Sequence, residues 1–285
     1  MNYNDITISL VLFKSEKVIF KCLKSIKKVK KIIIFDNSND ISLKKAVINK
    51  YPNIEYILSN KNIGYGAAHN KVFKLAKTRY VFVLNPDTIL DKNCIKNLIS
   101  HSNKLNKDFS IISPLTNPQN YGYFEDVIEK RILDKNIIDV DYVQGFSMLI
   151  KKTKDINFDK NIFLYLEEID LCKRLKMKNK KIFIIKKSKI KHLAAKSSNI
   201  GFEFEKCRNW HWMWSNVYFK KKYSNYLIAL LKYLPILLIN IIKMIFYFLI
   251  FNQQKFTIYY LRASGIFNSL IGKKSWFRPN IKNLI

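Results

Sequence analysis

Between Thr7 and Leu84, short apolar runs alternate with stretches whose apolar residues recur at helical spacing, and this alternation restricts the fold more than any other feature. Thr7 to Phe13 reads as a buried strand, and Val18, Ile19, Cys22, Leu23 and Ile26 follow on one helical face. Lys31 to Phe35 is a second strand, Ile41 to Lys50 a second helix and Ile54 to Leu58 a third strand. Ala67 to Lys77 then reads as helix, and Tyr80 to Leu84 as a short uncharged strand buried on both faces. Crossovers of this length join parallel strands, so the pattern predicts an α/β fold: a mostly parallel sheet flanked by helices. Lys92 to Leu105 adds a helix, and Phe109 to Ser113 and Val143 to Ile150 add strands.

In such a sheet the strands share one carboxyl edge, where ligands collect. Asn85-Pro86 stops the strand at Leu84 because proline cannot continue a ladder, which leaves Asp87 just past a buried strand. A carboxylate there is suited to hold a cation; a plain turn built from Asn, Pro and Asp is the competing reading. Asn60-Lys61-Asn62-Ile63-Gly64-Tyr65-Gly66 follows the third strand, and its glycines would let backbone approach a phosphate or sugar, although an ordinary loop would look the same. Glu167, Glu168 and Asp170 enter a helix together and repel one another unless a cation or proton intervenes, or unless the helix dipole relieves them. Pro114 to Asp141 is irregular, with Tyr121, Gly122, Tyr123 and Phe124 in a surface connection or an acceptor pocket.

The 285 residues carry a formal charge of +30, which suits anionic lipid, phosphorylated substrate or nucleic acid without choosing among them. Much of the excess is Lys in a chain also rich in Ile and Asn, a bias that genome composition alone produces. Cys22, Cys94, Cys172 and Cys207 are far apart, so neither a zinc site nor a disulfide framework is expected, and reduced cytoplasmic thiols are. The opening residues lack the basic flank and cleavage site of a signal peptide.

From Trp210 onward the character changes. Trp210, Trp212, Trp214 and nearby tyrosines interleave with Lys220-Lys221-Lys222, as at a lipid headgroup interface, and His211 reads as part of that aromatic helix rather than as a ligand. Leu227 to Phe251 is strongly apolar and would span about 37 Å as a helix. Lys232, Asn240, Lys243 and Tyr247 fall on one narrow arc, and a spanning helix would hold Lys243 near mid-membrane at a cost of roughly 2.5–3.5 kcal/mol. Monotopic or re-entrant attachment, where both lysines snorkel, is therefore expected over a full span. The division predicted is 1–204 for the α/β domain and 205–285 for a helical, membrane-associating tail.

The motifs, taken in order, resemble family 2 glycosyltransferases of the GT-A, Rossmann-like fold, most closely the bacterial rhamnosyltransferase-like branch. The marks are Asp36-Asn37-Ser38, the loop from Asn62-Ile63-Gly64-Tyr65-Gly66 to Asn70, Leu84-Asn85-Pro86-Asp87, Gln144-Gly145, Glu167-Glu168-Ile169-Asp170-Leu171, and His192 followed by Ser197. The resemblance implies an inverting enzyme that moves a sugar, with rhamnose the prior set by the branch, from a nucleoside diphosphate to a polyprenyl-diphosphate-linked glycan for O-antigen or capsule. It implies Glu168 as catalytic base with Glu167 and Asp170 in support. Asp36 would contact the nucleotide base, and Asn62, Gly64, Gly66, Asn70, Gln144 and Gly145 would line the donor site. Asp87 and His192 would lie at a divalent cation, Mg²⁺ or Mn²⁺. Work at the cytoplasmic face of a bacterial inner membrane would give the basic tail an anionic lipid surface, and no nucleic-acid partner is expected.

Departures from the family are Asn85 in place of the first acid of the usual Asp-x-Asp, Val11 and Phe13 where relatives place Thr and Tyr, and Glu168 where Asp is usual. The neighbouring acids are expected to raise the Glu168 carboxyl toward useful base strength. Two other readings are a sugar nucleotidyltransferase, whose glycine-rich basic loop Lys14 to Val18 does not supply, and a membrane-tethered, non-catalytic binding protein.

Overall fold

The structure, a computed structural model, describes residues 1–26, 28–116, 131–193, 198 and 200–280. Tyr121, Gly122, Tyr123, Phe124 and Ser197 lie outside the described residues. The chain divides into two compact units, Met1–Asp159 with Glu167–Asn199, and Lys160–Leu166 with Ile200–Ile285. The second unit therefore begins before the 204/205 boundary drawn from sequence and takes in a short stretch from the middle of the chain.

The first unit follows the expected alternation: β1 (Ile6–Leu12), α1 (Ile19–Ser25), β2 (Lys31–Asp36), α2 (Ile41–Lys50), β3 (Glu55–Leu58), α3 (Tyr65–Leu75) and β4 (Tyr80–Leu84). There follow β5 (Thr88–Leu90), α4 (Cys94–Lys104), β6 (Ile111–Thr116), β7 (Arg131–Asp134), β8 (Ile137–Asp139), β9 (Ser147–Lys151), α5 (Glu167–Lys176) and β10 (Ile182–His192). The sheet order is β3-β2-β1-β4-β9-β6-β10-β8-β7, with β5 paired to β10. β1 is parallel to β2 and β4, β2 to β3, and β6 to β10, whereas β9 runs antiparallel between β4 and β6.

Burial on both faces explains the uncharged central strands. Ile6, Ile8, Leu10 and Leu12 of β1 join Tyr80, Phe82 and Leu84 of β4 in one core layer, and Val11, Val81 and Val83 enter the other. Thr7 and Ser9 share the second face of β1, and each buried hydroxyl is matched, to Thr78 Oγ1 and to His69 Nδ1, both at 2.7 Å. Asp40 caps α2, accepting from the Leu43 amide at 2.8 Å.

The irregular reading of Pro114 to Asp141 changes for its described part: β7 and β8 form an antiparallel pair, and β8 adds to β10. The strand expected from Val143 begins instead at Ser147, so Gln144 and Gly145 lie in the approach to β9.

The second unit holds α6 (Phe202–Tyr223), α7 (Tyr226–Leu249) and α8 (Gln253–Leu270). Trp210 and Trp214 are core residues here, correcting their expected place at a headgroup interface. Each indole N–H finds an internal acceptor, Ser264 Oγ at 3.1 Å and Lys273 O at 3.0 Å, so burial leaves no polar atom stranded. His211 is also internal: Nε2–H donates to Phe277 O at 2.9 Å and Nδ1 accepts from Ser275 Oγ at 3.0 Å. Burial holds that imidazole near a pKa of about 3, and hence neutral. Gly265 marks a close approach of α8 to α6, where a Cβ would lie 2.5 Å from Trp210 O. Lys221 Nζ donates to the terminal carbonyls of α8 at Ser269 (2.7 Å) and Leu270 (3.3 Å).

α7 is long and apolar enough to cross a membrane, with mean hydropathy 2.0. Only 22% of that apolar window is buried within the protein. Ala229, Tyr233, Leu237 and Asn240 face inward, Asn240 donating to Ile236 O at 2.7 Å. Lys243 stands 5.4 Å over the ring of Tyr259 on α8. The opposite face, with Leu227, Leu231, Leu238, Ile242, Ile245 and Leu249, is exposed.

Candidate active site

The carboxyl edges of β1, β2 and β4 carry the first half of the site, and the backbone there is shaped by carboxylates and amides at the strand ends. Asp36, the last residue of β2, is buried, and its Oδ1 accepts from the Ser38 amide at 2.7 Å and the Ser38 hydroxyl at 2.5 Å. Its Oδ2 accepts from the Asp40 amide at 3.2 Å and the Tyr56 hydroxyl at 2.9 Å. Burial first, and the carboxylate second, push the Tyr56 phenol up, so it stays a donor. A carboxylate offers about four acceptor positions, so internal donors occupy Asp36 in this conformation, and it orders the loop after β2.

Asn37 continues the arrangement, accepting from the Ile63 amide at 3.1 Å and donating to Gly64 O at 3.4 Å. Asn62 accepts from the Gly64 amide at 3.0 Å, and Gly64 has φ +89°, a conformation that favours glycine. Asn62 and Gly64 thus shape the turn that opens α3. Gly66 and Asn70 face another way. A Cβ on Gly66 would lie 2.7 Å from Phe158 Cβ, and Asn70 clamps Phe158 by donating to its carbonyl and accepting from its amide, both at 2.8 Å. Two of the loop residues expected from sequence therefore brace α3 against the segment before α5.

Gly145 and Phe146 hold the two halves together. Tyr65 at the start of α3 donates to Gly145 O at 2.6 Å. Across from it, a Cβ on Gly145 would lie 3.2 Å from the carboxyl carbon of Glu168, so the missing side chain gives that carboxyl its room. Phe146 O accepts from the Asn85 amide at 3.0 Å, and the Phe146 ring stacks on His192 with centroids 4.2 Å apart. His192 faces Thr88 in the β5–β10 register, which brings Nε2 to 3.2 Å from Asp87 Oδ1. The carboxylates of Asp87 and Glu168 thus approach one another through two consecutive residues. In keeping with that, Tyr65 lies in the field of Glu168, Glu167 and Asp87, which together with burial, the larger cause, raises its phenol.

Glu168 stands in the first turn of α5, where burial pushes its carboxyl from 4.5 up to about 6. The rise expected from neighbouring acids has a different origin. Asp170 is buried and tied to Arg174 Nε at 2.8 Å, and Glu167 is buried with its Cγ 3.4 Å from the Gly66 Cβ position. Gln144 is partly exposed beside Gly145.

The residues at the end of β4 fit a divalent cation held partly by substrate. Asp87 supplies a buried carboxylate, His192 an imidazole nitrogen, and Asn85 a buried Oδ1 with no hydrogen-bond partner among the described residues. Among the described residues no three His, Cys, Asp or Glu side chains gather as a complete cage. Two or three protein donors with phosphate oxygens making up the remainder is the usual arrangement for Mg²⁺ at diphosphates. The roles of Tyr65, Phe146 and Asn37 are ones that sequence reasoning passes over. The signal available for the first two is an aromatic residue beside glycine at a strand or helix end.

A sheet with this order, carrying an acid past β4 and another in the helix before β10, defines an α/β protein of the nucleotide-sugar transferase fold. Mannosyltransferase PcManGT from Pyrobaculum calidifontis, solved in complex with GDP-Man and Mn²⁺, matches 95% of the chain over 88% of its own, with TM-score 0.57 at 10% identity. A match to the model of Glycosyl transferase family 2 covers residues 7–184, and the chain belongs to that family. The low-salt glycan biosynthesis hexosyltransferase Agl10 of Haloferax volcanii is 28% identical over 197 residues, 62% of the chain and 63% of that protein. Rhamnosyltransferase WbbL of Escherichia coli K12 is 24% identical over 213 residues, 64% of the chain and 78% of that protein. The alignment thus spans less than two thirds of the Haloferax relative's length.

Proposed function

We propose that this protein is an inverting glycosyltransferase that moves a hexose, rhamnose-like by analogy with WbbL, from a nucleoside diphosphate to a lipid-linked glycan acceptor. The observation that carries the reading is the meeting of Glu168, held near 6, with the Asp87–His192 pair across Gly145 and Phe146. Glu168 takes the proton of the acceptor hydroxyl as its oxygen bonds to the anomeric carbon from the face opposite the diphosphate. The anomeric C–O bond breaks at the same time, and its electron pair leaves on the diphosphate. A carboxylate titrating near 6 is both mostly ionised at neutral pH and a stronger base than an exposed Glu. Asp87, His192 and Asn85 would hold the divalent cation, Mg²⁺ or Mn²⁺, which supplies Lewis-acid neutralisation of the leaving group when bound. Asp36, Asn37, Asn62 and Gly64 support the reading by shaping the loops on which a nucleotide would rest.

The test is release of nucleoside diphosphate from a panel of nucleotide sugars, with Mn²⁺, Mg²⁺ or EDTA. Metal-dependent release from one or a few members is expected. A protein that neither releases nucleoside diphosphate nor is thermally stabilised by any member would be a transferase in fold only.

The exposed apolar face of α7 supports work at a membrane, and we propose that the attachment is monotopic, at the cytoplasmic face, with that face in one leaflet. Asn240 is buried and Lys243 stands over the Tyr259 ring of α8, so the apolar outer face carries neither at its centre. Leu231, Ile242 and Ile245 are 65%, 65% and 50% exposed, so replacing all three by Gln leaves the core intact. Partition of the full chain onto vesicles containing anionic lipid is expected to fall at least about tenfold, since each exposed aliphatic side chain removed from water contributes up to about 1.5–3 kcal/mol. Wild-type protein that stays in the supernatant with such vesicles at low salt would rule out attachment.

A further inference from the structure

The first turn of α3, the approach to β9 and the start of α5 meet around Gly145. A Cβ built on Gly145 would lie 3.2 Å from the carboxyl carbon of Glu168 and 3.4 Å from its Cβ and Cγ, so the whole Glu168 side chain runs along the bare face of that glycine. Neither group can move into the other's place, and the position of Gly145 therefore limits the position of the carboxyl. Gly145 stands two residues before β9, whose ladder with β4 ends at Ser147.

Tyr65 holds it there. The hydroxyl donates to Gly145 O at 2.6 Å, between residues 80 positions apart in sequence. The ring that carries the hydroxyl is itself fixed: it meets the His69 ring one turn along α3, centroids 4.4 Å apart and planes at 73°, and the Phe158 ring at 6.0 Å and 68°. His69 is buried and bonded to Ser9 Oγ of β1 at 2.7 Å, and Phe158 is clamped by Asn70 through both its backbone groups. Beside Tyr65, the missing side chain of Gly66 lets α3 close on α5, with Glu167 Cγ 3.4 Å from the Gly66 Cβ position. A phenylalanine would make every one of these ring contacts. What the hydroxyl adds is the bond to Gly145 O.

We propose that Tyr65 is a positioning residue for the base: its hydroxyl ties Gly145 to the frame made by α3 and α5, and Gly145 in turn sets where the Glu168 carboxyl meets the acceptor hydroxyl. The proposal rests on the transferase reading and adds to it the group that aims the base. A proton is taken efficiently only within hydrogen-bond reach, about 2.6–3.2 Å, and a misplacement of about 1 Å costs on the order of 100-fold in rate. With the bond gone, Gly145 is free to shift and the Glu168 side chain gains conformations that miss the acceptor. Burial, with the nearby carboxylates, holds the Tyr65 phenol well above its ordinary range, so the donor persists at every working pH.

The test measures release of nucleoside diphosphate by the full chain, with Mn²⁺, from whichever nucleotide sugar of the panel it turns over. Tyr65→Phe keeps the ring and removes the bond, and it is expected to lower kcat at least about tenfold with donor KM within about twofold of wild type. Because Tyr65 acts through Glu168, the loss should vanish in the Glu168→Gln background, the double variant running within about twofold of Glu168→Gln alone. Gly145→Ala crowds the carboxyl directly and leaves the Tyr65 bond in place, so it should show the same split between kcat and KM and the same silence beside Glu168→Gln. Tyr65→Phe with kcat within about twofold of wild type would overturn the proposal. So would a loss of about tenfold that persists beside Glu168→Gln, which marks a general loosening of the site, or a loss carried by donor KM, which marks a wall of the donor pocket. Wild-type protein that turns over no nucleotide sugar would instead overturn the transferase reading, and this proposal with it.

Discussion

Glu168→Gln is expected to lower turnover at least about 100-fold, while the metal-dependent thermal shift with a nucleoside diphosphate is kept. The side chain is nearly isosteric and fits the space that Gly145 leaves, so the loss would be chemical rather than structural. The wild type should show an acid limb in kcat/KM, activity falling as pH drops through about 6, because the base works only when ionised. In the Gln variant that limb should vanish. A second readout follows from linkage. A carboxyl raised from 4.5 to about 6 binds its proton more tightly folded than unfolded, so stability falls as pH rises across that window and remains lower above it. The Gln variant, carrying no charge to bury, is expected to be at least as stable as wild type at pH 7 and above. A variant that kept more than about a tenth of the rate would move the base elsewhere, since a general base contributes about 100-fold or more.

Local pattern carried much of this fold. β1 through β4 and their helices are regular enough that apolar spacing finds each one, because β1 and β4 are buried on both faces, β2 is buried over its last four residues, and every connection is a crossover helix. The far half of the sheet was harder to read. β5 is three residues after Asp87, and β10 mixes Ile182 to Ile185 with Lys186, Lys187, Lys189 and Lys191, so neither resembles the uncharged central strands. Their pairing is antiparallel and long-range, between residues a hundred positions apart, and it is this pairing that brings His192 to Asp87.

The site shows the same division. Glu168, Asp87 and Gly145 stand in short motifs that sequence can flag, but the cause of the raised Glu168 carboxyl is burial, which no motif reports. Trp210 and Trp214 mislead for a related reason. A tryptophan beside lysines looks interfacial until an acceptor for its N–H is found inside, and those acceptors, Ser264 and Lys273, come from the far end of the chain.

Asp87→Asn is expected to lower turnover about 100- to 1,000-fold, the range found when a group stabilising transition-state charge is removed. Asp87 is buried at the end of β4, its carbonyl accepts from the Leu193 amide at 2.9 Å, and neither that bond nor the Phe146–His192 stack requires the carboxylate charge. The Asn variant should therefore fold. What it loses is the negative charge that Asp87 offers beside His192 and the buried Oδ1 of Asn85. Wild-type protein with a nucleoside diphosphate should melt higher in Mn²⁺ than in EDTA, by mass action on the folded state, and in the variant that increment should disappear. Glu168→Gln, by contrast, should keep it, so the two substitutions separate the group that holds the leaving diphosphate from the group that activates the acceptor. If Asp87→Asn retained both the Mn²⁺ increment and most of the turnover, the cation would be held by other residues and Asp87 would serve only to orient His192. A loss of turnover with the increment intact would place Asp87 in the chemistry without metal binding.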